Sequence, residues 1–453
     1  AFELPAGPLD FVVGVERRIE KGDYEPALGG RVPITRSAID RPVSGGFDTN
    51  EYYVEIVAPV ISEDMDIPFV KYFELSGAYR NQEFNTNAPR GFDDRTTEED
   101  VYQASMKWQV VDDLSFRATY ATAFRNPSIN ELFQPEQQTF ILGDDPCDSR
   151  SVGVGPNPSV RKANCESEGI DTDTFISNIQ DGTIPTGIIS GNPELGPETN
   201  KSYSYGFAYT PSYLEGLQLS VDYYNLEIED FIEQVDFETL AAACYDSNNF
   251  PNEPACNTFQ RGDDFQVIEA RNQPANVALS TFEAVSISLF YAHDLGEYGN
   301  LTVNSSTQHN ITNEFQATSA AEVTEDVGDF ADPDWIGTVD INWLYEDWIV
   351  SHRIRWQNPV KIDALDQRLY ADSYTELEDG TFQGNFTNET DWRAIHELSI
   401  GYTLDSSTNI QLNILNLLDR KPDENGDIAF AAGHFGIDER LGRRFSLRVN
   451  HKF

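Results

Sequence analysis

Basic residues are scarce in this 453-residue chain: 31 Lys and Arg stand against 76 Asp and Glu, for a formal net charge of −45. A protein that neutralises phosphates needs Lys and Arg, so nucleic acid is excluded as a partner. Only two Met and four Cys occur. No apolar run approaches the roughly 18 residues a membrane helix needs. The opening residues, AFELPAGPLD, contain neither an initiator Met nor the basic and apolar run of a signal peptide, so a processed chain or a fragment is expected. Catalytic signatures are missing too: there is no G-x-S-x-G elbow, no H-E-x-x-H and no phosphate-cradling loop. The carboxylates are too numerous to single out an acid and base pair. The sequence therefore points to no enzyme and no cofactor. The six His are scattered, and His309, His352 and His396 are expected in strands facing a polar interior, so no metal site is expected. Asp423 to Asp427 starts like a calcium loop but lacks its closing Glu and is taken as a solvated turn.

Aromatic residues are plentiful, with 20 Tyr and 28 Phe, the balance of strands more than helices. In LGRRFSLRVNHKF, Phe445, Leu447, Val449 and Phe453 share one parity and Arg444, Ser446, Arg448, Asn450 and Lys452 the other. This period of two marks a strand with one apolar and one polar face. Such runs predict strands near 9–20, 50–61, 69–84, 99–111, 114–124, 200–210 and 216–234. Seven more follow near 275–293, 300–314, 334–345, 348–359, 392–404, 409–418 and 440–453. Tight turns at Asp112 and Asp113, 211–215, 295–299, Glu346 and Asp347, and 405–408 alternate with long polar segments. The long segments are near 125–199, 235–274, 315–333, 360–391 and 419–439.

Short turns at one rim and long loops at the other are the plan of an antiparallel transmembrane β-barrel. Trp335 and Trp343 share parity. Eight steps of about 3.3 Å, tilted by about 40°, separate them by roughly 20 Å along the membrane normal, the spacing of two aromatic girdles. A soluble all-β protein is the competing reading, but its strands average about five or six residues.

Cysteines fall in two close pairs, Cys147 with Cys165 and Cys244 with Cys256, in polar stretches without strand pattern or metal-binding spacing. They are read as local disulfides in exposed loops rather than free thiols, which implies an oxidising compartment.

Several segments resemble the barrel of TonB-dependent outer-membrane receptors: RATYATAFRNPSINELF, GNPELGPETNKSYSYGFAY, NIQLNILNLLDRKP, LGRRFSLRVNHKF and, near the front, LPAGPLDFVVGVERR. The two Cys-bearing stretches resemble the disulfide-closed outer loops of one branch of that family. The resemblance implies that residues 1–453 form about the last fourteen strands of a barrel of about 22 strands, with the TonB box, the plug domain and the first strands outside this sequence. It also implies that Phe453 resembles the signal read by the outer-membrane barrel assembly machinery, whereas His451 stands where the family more often has an aromatic.

The implied function is energised uptake of a scarce solute across the outer membrane of a Gram-negative bacterium: an iron chelate, a cobalamin-like cofactor or an oligosaccharide. The implied partners are outer-membrane lipid and lipopolysaccharide, the small solute, and the TonB–ExbB–ExbD complex acting through the plug. Loop aromatics Tyr245, Phe250, Tyr370, Tyr374, Phe382 and Phe386 are candidates to stack on the solute. The alternatives are a passive fourteen-stranded porin and a soluble all-β carbohydrate-binding protein.

Overall fold

The computed structural model describes residues 2–30, 41–89, 93–182, 185–318, 321, 323–329, 332–361, 374–376, 382–384, 390–421 and 441–453. Fourteen long strands make one antiparallel meander, each paired with its neighbours in chain order. They are β1 Asp10–Tyr24, β2 Val43–Ile61, β3 Tyr72–Asn87, β4 Thr96–Val111, β5 Leu114–Arg125, β6 Glu198–Tyr209 and β7 Leu217–Glu233. The second half is β8 Ala275–Asp294, β9 Asn300–Gln316, β10 Trp335–Tyr345, β11 Trp348–Gln357, β12 Arg393–Thr403, β13 Thr408–Leu415 and β14 Arg444–His451. Thr324–Glu325 adds a short strand to β9. Among the described residues β1 and β14 are not paired with each other, so the sheet has two open edges.

All fourteen sequence-predicted strands are present. The largest boundary difference is β2, which starts at Val43 rather than near 50, because Gly45, Gly46 and Phe47 continue the ladder with β1 through Gly22, Lys21 and Glu20. Glycine is required at two of the short turns. Gly216 and Gly299 have φ of 87° each, and a Cβ there would collide with the carbonyls of Ala292 and Leu344.

Register separates the two faces of the wall. Phe116 lies opposite Phe207, which lies opposite Val221, and Val221 lies opposite Ile287. On the other face Arg117 forks to Asp222 at 2.6 and 2.5 Å and reaches Ser220, and Ser105 meets Thr119 at 3.0 Å. Apolar outside and hydrogen-bonded polar inside is what lipid on one side and a wet lumen on the other select. Trp335 and Trp343 both lie on the outer face, with Trp356 stacked on Trp392 at one rim and Trp348 beside Tyr402 at the other. No helix among the described residues is long and apolar enough to cross a membrane, which says nothing about strands.

The strand histidines are placed differently from expectation. His352 lies between Val350 and Ile354 and opposite Ile341, so it belongs to the outer face. His396 lies opposite Ile354, and its Nδ1 is 3.0 Å from Nε2 of His352. His309 stacks on Trp335 with ring centroids 4.2 Å apart, also outward.

Candidate solute-binding face

The stretch RNPSINELF builds the junction between wall and outer loops. Arg125, the last residue of β5, donates two bonds of 2.7 Å to Glu198 at the start of β6 and bonds of 3.0 and 3.1 Å to Glu131. Glu198 also accepts the N–H of Ile232 near the end of β7 at 2.8 Å, so one guanidinium ties three strand ends. Pro127 has no N–H to extend the ladder, and Ser128 opens helix α1 (Ile129–Phe133) with a reciprocal capping box to Glu131. Burial pushes the Glu131 carboxyl up, but Arg125 and the Ser128 N–H and hydroxyl outweigh it and hold it below its usual range. Helix α1 turns Leu132 and Phe133 onto the inner face, against Phe47, Phe84, Leu195 and Ile232.

Beneath α1 a cleft opens in two lobes of about 480 and 490 Å³ that share Phe47, Arg125 and Asn126 as a common wall. The inner lobe adds Arg18, Glu51, Arg80 and Gln82; the outer lobe adds Glu20, Asp23, Tyr24 and Ile129. A polar chain centred on the buried Gln82 and Glu51 crosses its floor. Asn126 donates to Gln82, Gln82 to Glu51 at 2.5 Å, and Arg80 to Glu51 at 3.0 Å. Arg80 also lies 5.0 Å above the Tyr53 ring. The Asn126 Oδ1 is buried and has no partner among the described residues.

Above the cleft, the described residues of segments 126–197 and 234–274 fold together as one unit, with one disulfide inside each segment. Helix α2 (Pro158–Ser167) and helix α3 (Phe237–Tyr245) come one from each. A small mixed sheet orders Phe259–Arg261, Val267–Asn272, Thr186–Ile189 and Gln137–Phe140, and its central parallel pair, Arg271 opposite Ile188, joins the two segments. Cys147 is bonded to Cys165 and Cys244 to Cys256. The expected exposed setting is corrected for three of the four: Cys147, Cys165 and Cys244 are buried and lie in one core with Ile170, Ala243, Tyr245 and Ala255.

Two buried ion pairs cross between the segments in opposite directions. Arg161 of the first forks to Asp246 of the second at 2.7 and 2.5 Å. Arg261 of the second forks to Asp145 of the first with two bonds of 2.7 Å. Burial works against the charge on Arg261, yet Asp145 and Tyr245 hold its pKa above the ordinary guanidinium value.

Residue 4 through residue 417 match the family model described as TonB dependent receptor-like, beta-barrel. The chain belongs to the TonB-dependent receptor family. In fold, this TonB-dependent receptor chain is similar to the FrpB iron transporter of Neisseria meningitidis. The F3-3 variant is 12% identical, with 99% of this chain and 53% of that one covered and a TM-score of 0.53. The apoprotein form of the F5-1 variant gives 12% identity, 98% and 54% coverage and a TM-score of 0.53. At that identity the likeness is one of fold, and the receptor chain spans about half the length of these solved relatives. No curated protein matches its sequence significantly.

Of the candidate aromatics of this TonB-dependent receptor, Tyr245 is only 1% exposed. Burial first, then Glu168, pushes its phenol well above the ordinary value, and Phe250 stacks on it at 5.4 Å. Both serve the loop core, and Tyr245 has no face to offer a solute. Tyr374 and Phe382 start the short strands Tyr374–Glu376 and Phe382–Gly384, while Tyr370, Phe386 and the 423–427 turn lie outside the described residues. Phe453 is fully exposed beyond β14. The cleft residues Arg18, Phe47, Glu51, Gln82 and Asn126 were absent from the sequence-derived candidates. Inward parity on three strands could have nominated all but Asn126, which lies past the end of β5.

Proposed function

We propose that this chain is the wall and outer-loop portion of an outer-membrane receptor that captures a scarce solute outside the cell and admits it when the TonB complex supplies energy. The observation that carries the reading is the fourteen-stranded antiparallel wall, apolar outside and polar inside, of a chain belonging to the TonB-dependent receptors. Iron chelates are the leading solute class, supported by the shared fold with a protein named as an iron transporter. The two open edges support a larger barrel in which residues 1–453 form part of the wall, and lipid, lipopolysaccharide and the barrel assembly machinery are its expected surroundings.

The test uses the complete gene product expressed in a Gram-negative host. It should sediment with outer membranes, change migration on gels when boiled, and support accumulation of radioactive iron that stops in cells lacking TonB or treated with a protonophore. Uptake that persists without TonB would favour a passive pore instead.

A further inference from the structure

We propose that the two-lobed cleft beneath α1 is a solute subsite, and that it takes an uncharged, oxygen-rich molecule rather than a polyanion. The inference rests on the receptor reading above and narrows the solute class. Each lobe lies within the roughly 300 to 1,000 Å³ of a small-molecule site. Its three guanidiniums are already answered by carboxylates: Arg80 by Glu51, Arg18 by Glu20 at 3.5 Å, and Arg125 by Glu131 and Glu198. A multiply charged anion would meet the carboxylates of those pairs, and a cation would meet the arginines. An uncharged solute does neither, because it needs only single donors and acceptors with an apolar side to lie on.

Those elements are present. The buried Asn126 Oδ1 is an acceptor without a donor, an unfavourable state for a buried polar atom unless a ligand hydroxyl or water supplies the bond. The Arg18 side chain is 53% exposed and has donors to spare beyond its single carboxylate. Phe47, Tyr24 and Ile129 supply the apolar side. The approach favours the same class, since segment 126–197 has eleven acidic residues against three basic ones and repels polyanions at a distance.

A neutral tris-hydroxamate iron chelate and an oligosaccharide share this chemistry, and the assay separates them. The purified full-length receptor is titrated calorimetrically with a neutral ferric tris-hydroxamate, with maltohexaose, and with a trianionic ferric tris-catecholate. One of the two neutral probes should bind at least tenfold more tightly than the catecholate. Asn126→Ala and Arg18→Ala should each weaken it about tenfold, while both variants keep heat-modifiable migration. Tighter catecholate binding, neutral binding unchanged in both variants, or no binding of either neutral probe overturns the proposal. Iron uptake is followed in the same strains. TonB-dependent uptake untouched by both variants removes the subsite and leaves the receptor, whereas absence of energised uptake removes the receptor reading itself.

Discussion

Arg161 and Asp246 sit on two external segments 85 residues apart and meet in a bidentate ion pair whose side chains are only 6% and 2% exposed. With its counterpart, Arg261 to Asp145, it makes two outer loops into one folded body. Each segment supplies one arginine and one aspartate, so neither satisfies its buried charges alone.

Removing one partner should therefore be far worse than removing both. Asp246→Ala leaves a buried guanidinium unpaired and should cost roughly 3 to 5 kcal/mol, while the apolar double replacement Arg161→Met with Asp246→Leu should cost much less. Limited proteolysis of the outer segments, with the wall still heat-modifiable, measures the difference.

Breaking the Cys147–Cys165 and Cys244–Cys256 bonds with paired serines should destabilise the same unit. Sequence separations of 18 and 12 correspond to about 3 kcal/mol each by loop-closure entropy. Hydrogen exchange should rise across both segments when either bond is lost, because their cores are shared. Exchange confined to one segment would contradict the single unit.

Arg125→Lys should loosen the junction without unfolding the wall. Lysine cannot reproduce the double fork to Glu198 and Glu131, so amides at Ile232 and in α1 should exchange faster, while those in mid-strand keep their protection.

Acidity should act on the outer unit in two opposed ways. Burial raises the Glu238 pKa above its ordinary 4.5, so its stabilising contribution is present below that value and is lost as pH rises through the folded pKa. Burial opposes ionisation of Asp148, but the Arg150 fork and the N–H groups of Arg150 and Ser177 prevail, so its pKa falls below 3.8. Asp148 therefore stabilises above its ordinary value and ceases to as pH falls through its folded pKa. Resistance to proteolysis should peak in mildly acid solution. Glu238→Gln should flatten the neutral limb and Asp148→Asn the acid one.

The two wall faces are tested by arginine. Val339→Arg, on the outer face, should cost about 2 to 4 kcal/mol in a bilayer, whereas Thr338→Arg on the lumen face should cost little. Urea unfolding in liposomes compares them; equal effects would reverse the assignment of faces.

The wall was legible because its code is local: alternate residues over eight to twenty positions, with tight turns between. The same code also placed His352, whose neighbours two residues away are Val350 and Ile354, on the apolar face, although polarity alone pointed to the lumen. The outer unit was not legible. Its helices span only five to ten residues, and its decisive contacts, such as Asp145 with Arg261, join positions 116 apart. No periodicity reports such a pairing, so the polar stretch around Tyr245 reads as solvent-facing although Tyr245 is a core residue. The cleft was hidden for the same reason, since Asn126 meets Gln82 across 44 positions of sequence.

The parallel pairing of Arg271 with Ile188 runs through the middle of a sheet contributed by both segments. A receptor that changes its outer surface under selection, or under an engineer's hands, cannot exchange one of these loops while keeping the other. The heritable unit is the pair, and chimaeras should assemble only when both halves come from the same parent.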